Sequence, residues 1–161
     1  MALPRWLPLA GAAAALCAAA SAPGWVLVLE NTSTGRSFRF AVAQGETFSV
    51  VSQHSIYDQP VEEELVVRAD GRIALRAVSS PSAAVREYFG ITGPGERHAV
   101  ERAMRDVVFR VAAGTAQRLR LGGAEHSFLS FGGHGDRLVM RAARPPAAPR
   151  PLAGAPAPTV P

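Results

Sequence analysis

Between Trp25 and Arg141 no apolar segment outlasts a short strand before glycine, asparagine, aspartate or serine interrupts it. Such spacing favours antiparallel hairpins, whose tight turns need the positive φ values these residues supply. "WVLVLE" at Trp25–Glu30 is a near-continuous apolar run, and "NTSTG" turns it into Ser37–Val42. Phe48–Ser55 and Val61–Arg68 alternate, and "ADG" at Ala69–Gly71 leads into Arg72–Val78. Asp106–Val111, Gln117–Leu121, His126–Phe131 and Arg137–Arg141 follow. The expected fold is all-β, an antiparallel β-sandwich or partly open barrel of about eight to nine short strands. Val100, Ala103, Met104 and Val107 stand at helical spacing, enough for one turn and no more.

The ends of the chain are of another kind. Arg5 precedes an apolar stretch from Trp6 to Ala22 with small residues at its close, the pattern of a secretory signal peptide. Residues 1–20 are expected to be that signal. Cleavage after Ala20 is preferred because Pro23 directly follows the alternative site at Ala22. An uncleaved anchor is the competing reading, weakened by the many alanines. Leu16 stands before Cys17 where lipidation would need a small residue, so Cys17 is expected to leave with the signal. Since Cys17 is the only cysteine, the mature chain then has no disulfide and no thiol chemistry. At the other end, Ala143–Pro161 holds seven of the thirteen prolines without apolar periodicity and reads as a disordered tail. A single β-rich domain over 21–142 remains, in an exported protein of the periplasm or the outer face of the inner membrane.

All 17 basic residues are arginine, and a net charge of +4 is spread over 161 residues without a basic run. Phosphate-backbone binding needs such clustering, so nucleic acid is not an expected partner.

"HSIYDQPVEEEL" at His54–Leu65 places unusual ionisable chemistry in a sheet. Side chains alternate along strands, so Phe48, Val50, Ser52 and His54 share one face, and Val61, Glu63, Leu65 and Val67 share another. With Tyr57–Pro60 as the loop, Ile56 pairs with Val61 and His54 falls opposite Glu63, on the buried side at its loop end. Glu62 and Glu64 then face solvent with Arg68. A core-facing Glu63 needs a partner, and His54 is the nearest candidate. The pair reads either as a structural ion pair fixing the loop or as the lining of a ligand pocket. A pocket open to water with an arginine such as Arg86 or Arg137 nearby would indicate an anion site. Because only Glu63 is expected to face inward, Glu63→Gln is expected to cost more stability than Glu62→Gln or Glu64→Gln.

"FSVVSQHSIYDQPVEEELVV", together with "EYFG" at Glu87–Gly90, "RDVVFRV" at Arg105–Val111 and "QRLRLGG" at Gln117–Gly123, resembles the bacterial family known as domain of unknown function 1850. The likeness spans Val26–Ala142. It implies an exported accessory protein, often encoded beside permeases of the tripartite periplasmic transporters that import organic acids. The partners so implied are a membrane permease and a small organic anion. The candidate ligand-binding residues are His54, Ser55, Pro60 and Glu63; no catalytic set, metal site or cofactor is expected. A small periplasmic hydrolase or metal-dependent enzyme using His54 and Glu63 is the alternative.

Other features are weaker. "GGHGD" at Gly132–Asp136 is one copy of a calcium-repeat pattern that binds only when stacked, so its glycines read as turn residues. His126, His134 and Asp136 could join His54 as metal ligands in space, but no close histidine pairing supports it. Ser79, Ser80 and Ser82 show no nucleophile elbow, and no phosphate-binding loop is present.

Overall fold

The computed structural model describes residues 24–112 and 117–146. The expected signal at 1–20 and the tail beyond Pro146 lie outside them. Strands β1 (Trp25–Asn31) and β2 (Arg36–Val42) form a hairpin, after which the chain crosses to a second sheet. There β3 (Thr47–His54), β4 (Gln59–Val67), β5 (Ile73–Ser79) and β6 (Arg97–Met104) run as a meander. A short helix, α1 (Ala83–Tyr88), interrupts the β5–β6 connection. The chain returns to the first sheet for β7 (Val107–Arg110), crosses back for the hairpin β8 (Arg118–Leu121) and β9 (Ala124–Ser127), and finishes in β10 (Arg137–Ala143). The sheets have orders β2-β1-β10-β7 and β6-β5-β4-β3-β8-β9, with every pairing antiparallel.

Alternation explains the core. β1 buries Trp25, Leu27 and Leu29 and half-buries the residues between them, while β10 contributes Leu138 and Met140. From the second sheet come Phe48, Val50, Val61, Leu65, Val67, Ile73, Leu75 and Leu119. Each large side chain so buried contributes about 1.5–3 kcal/mol relative to exposure. Leu75 and Val78 both enter the core although three residues apart, because the register shifts between Leu75 and Ala77 and the extra residue turns Val78 inward.

The all-β reading holds, with ten strands in two sheets and no closed barrel. The strand missed from the sequence is β6, which covers most of the segment where one helical turn was expected. As an edge strand with no fully buried side chain, it carries little of the apolar alternation that marks a strand. The expected strand His126–Phe131 ends at Ser127, whose Oγ accepts from the Leu129 N–H (3.3 Å) and opens a 3-10 turn. That turn buries both Phe128 and Phe131, which alternation alone would send to opposite faces. β10 also runs to Ala143, which pairs with Val26, so the strand includes the first residue assigned to the tail.

One polar clasp joins the β1–β2 turn to the loop that leads into β10, at one end of the first sheet. Asn31, fully buried, donates from Nδ2 to the Phe131 carbonyl (3.1 Å) and to Asp136 Oδ2 (2.8 Å). Its Oδ1 accepts from the Ser33 and Thr34 N–H groups (3.0 and 3.1 Å). The loop 131–136 is thereby held against the β1–β2 turn.

Candidate functional site

The β3–β4 hairpin differs from expectation in register. Its turn is Ser55–Asp58, not Tyr57–Pro60, and His54 lies opposite Gln59 while Glu63 lies opposite Val50. The shift follows from Asp58, which adopts a φ of +50° that a short polar side chain tolerates. Its N–H donates to the His54 carbonyl (2.8 Å), and Gln53 Nε2 donates to both its carbonyl and its Oδ1 (2.9 Å each). The displacement is an even number of residues, so the faces are unchanged: His54 and Glu63 still point to the inner side.

There they line one cavity of about 590 Å³. β3 supplies Ser52 and His54, the turn supplies Ser55 and Asp58, and β4 supplies Val61 and Glu63. The opposite wall is Val108, Phe109 and Arg110 of β7, with Gln117 beside them; Tyr88 and Phe89 close one side.

α1 places those two rings. Ser82 caps its start by accepting from the Val85 N–H, and Arg86 Nη1 donates to the Ser80 carbonyl (2.8 Å). The helix ends in a Schellman pattern, with Ile91 N–H to the Arg86 carbonyl (2.9 Å) and Gly90 N–H to the Glu87 carbonyl (2.8 Å). Gly90 takes the left-handed conformation this requires, at φ +75°. Tyr88 meets the His54 ring edge-on at 4.5 Å and Phe89 at 6.4 Å, while Tyr57 stacks on it at 5.2 Å. The Ile56 N–H approaches His54 Nδ1 (3.4 Å), which leaves the proton of a neutral ring on Nε2.

Glu63 makes no hydrogen bond or ion pair among the described residues. On the sheet it sits between Val61 and Leu65 and opposite Val50 and Val78. Burial among these side chains pushes its carboxyl above the ordinary range, while the charge of Arg102 pulls more weakly the other way. The expected His54–Glu63 ion pair is therefore not formed; the two side chains share a cavity instead.

Ser55 also lines the cavity, but Pro60 does not. Pro60 lies in β4, and its carbonyl accepts from Ser80 Oγ (2.7 Å), which ties α1 to the strand. Neither Arg86 nor Arg137 reaches the cavity; the arginine on its wall is Arg110, whose Nη1 donates to the Gly135 carbonyl (3.0 Å).

Glu62 and Glu64 lie on the outer face, though their partners are not Arg68. Glu64 forms a two-pronged pair with Arg97 (2.6 and 2.8 Å), and that hydrogen bonding holds its carboxyl below the ordinary range. Glu62 accepts from Ser49 Oγ (2.7 Å) and meets Arg120 at 3.3 Å. Arg68 pairs with Glu101 instead (3.0 Å).

The "GGHGD" loop is a turn. Asp136 Oδ2 accepts from the Gly133 N–H (2.9 Å), Gly135 has φ +85°, and the bond from Asn31 holds the Asp136 carboxyl below its usual range. His126 packs against Phe40 at 5.0 Å, on another part of the molecule from His54. No group of three metal-ligating side chains comes together among the described residues.

Sequence reasoning missed Asp58, Tyr88, Phe89, Arg110 and Gln117 as cavity residues. The signal for the two rings was local: a serine cap at Ser82 and a glycine stop at Gly90 bracket a single short helix. Nothing local marks Arg110, which arrives through the crossing to the other sheet. Compared with known protein families, curated proteins and solved structures, the chain matches none.

Proposed function

We propose that this protein is an extracytoplasmic accessory protein that holds a small molecule in the His54–Glu63 cavity and works beside a membrane permease. The carrying observation is the cavity itself: about 590 Å³, within the range of small-ligand sites, walled by aromatic rings and supplied with a few convergent polar groups. Glu63 is the clearest sign of use. A desolvated carboxylate without a partner costs stability, and a ligand that satisfies it offsets that cost. The N-terminal pattern of Arg5 and the apolar run to Ala22 supports export. The motifs resembling domain of unknown function 1850 support the association with an organic-acid transporter.

The test is a thermal-shift screen of small acids, amines and neutral compounds on the dialysed protein, run beside Ser52→Phe, which places a ring in the cavity. At least one compound should raise the Tm of the wild type and leave the folded variant unmoved. No response at millimolar concentration, or equal responses in both proteins, would overturn the reading.

A further inference from the structure

We infer that the ligand of this cavity is held through a protonated amine or quaternary ammonium group seated against Glu63, and not as the bare organic anion that the sequence resemblance implies. The inference rests on the ligand-binding reading above and names its chemical class.

Three observations carry it. Glu63 projects into the cavity with no hydrogen bond or ion pair among the described residues, whereas the neighbouring Glu62 and Glu64 are both engaged by arginines on the outer face. A second carboxylate, Asp58, lies on the same lining, and its position is fixed by Gln53. The remaining walls carry Tyr88, Phe89 and Phe109, and aromatic rings stabilise a cation through their quadrupoles, most strongly where water is excluded. Against these stands one lining arginine, Arg110, which already donates to the Gly135 carbonyl. A bare anion entering this space meets two carboxylates, with a single arginine on the lining. An ammonium group meets a carboxylate with no hydrogen bond or ion pair among the described residues, in a cavity also lined by aromatic rings.

Wild-type binding should also depend on pH. Amine affinity strengthens as pH rises through the raised pKa of Glu63, since only the ionised carboxylate attracts the cation. The other ionisable groups on the cavity are His54 from β3, Asp58 from the turn, Tyr88 at the end of α1 and Arg110 from β7, with the charge of Arg102 acting from β6.

The experiment uses three four-carbon probes, n-butylammonium, n-butanol and butyrate, titrated into the isotope-labelled protein while the aromatic resonances of Tyr88, Phe89 and Phe109 are followed. Butylammonium should shift them saturably and more tightly than butanol, with butyrate weakest. Glu63→Gln should weaken butylammonium by about tenfold or more, the worth of one charged hydrogen bond, and leave butanol unchanged. Glu64→Gln should change nothing. Equal affinity for butylammonium and butanol, or a preference for butyrate, overturns the amine inference while leaving the cavity a binding site. Silence from all three probes overturns both readings. Because the wild-type pH profile needs no variant, an affinity for butylammonium that is flat or falls with rising pH refutes the inference independently.

Discussion

Asn31→Ala offers the sharpest test of how the fold holds the cavity wall. The side chain is fully buried and makes four hydrogen bonds, joining the β1–β2 turn to the loop 131–136. Removing it leaves the Phe131 carbonyl without its side-chain donor, at about 1–3 kcal/mol if that group stays buried. The Ser33 and Thr34 N–H groups are on exposed residues and can turn to water, so they add less, about 0.5 kcal/mol each. Asp136 is only partly buried and can exchange this bond for water, so the bond is left out of the sum. The total is about 2–4 kcal/mol, a large fraction of the about 5–15 kcal/mol that holds a domain together. At about 4 °C per kcal/mol for a domain of this size, Tm should fall by about 8–16 °C. The loop also feeds the site: Val111 N–H donates to the Asp136 carbonyl (3.0 Å), and Gly135 accepts from Arg110. Chemical denaturation and a calorimetric scan of the variant would check both figures. A loss within about 0.5 kcal/mol, the range of an uninvolved surface substitution, would refute the clasp. Gly132→Ala should reproduce the effect, since its Cβ would press on Asn31 Nδ2 and stand 2.7 Å from Asp136 Oδ2.

Glu63→Gln should not destabilise the protein at neutral pH, contrary to what its inward position suggested from the sequence, because no ion pair is lost and a desolvated charge is removed. In the folded state the Glu63 carboxyl binds its proton more tightly than in the unfolded chain. Wild-type stability should therefore fall as pH rises from the unfolded carboxylate range through the raised folded pKa, and then level off; urea midpoints across that window should show the slope in wild type and less of it in the variant. Glu64 has the opposite sign, its folded pKa being lowered, so its contribution is present above the unfolded pKa and lost as pH falls through the folded value. Lying on an exposed pair, Glu64→Gln should barely move Tm in a neutral-pH scan. Deleting residues 147–161 should leave Tm unchanged, whereas deleting from Ala143 removes its rung with Val26 and the Arg144 guanidinium lying 4.0 Å over the Trp25 ring, and should lower it measurably.

The legibility of this chain divides along physical lines. Short apolar segments separated by turn residues set the fold class, and alternation in β3 and β4 set the inward faces of His54 and Glu63, because a period of two leaves only two choices. Register was harder to read. Whether the turn begins at Ser55 or Tyr57 depends on Asp58 entering the left-handed region and on Gln53 reaching back to it, and pairings either four residues apart or in step satisfy the same apolar faces. β6 escaped notice because an edge strand can be polar on most of its surface, and α1 because a helix of six residues shows too little periodicity. The aromatic and arginine walls of the cavity come from segments distant in the chain, which no local pattern brings together.

The most direct test of the central claim is the native mass of the protein purified from the cells that produce it, set against its denatured mass. The account predicts a native species heavier than the denatured chain by one small amine-bearing molecule, with the excess lost in the folded Ser52→Phe variant. Equal native and denatured masses for the wild type, or an excess that survives in the blocked variant, would contradict it.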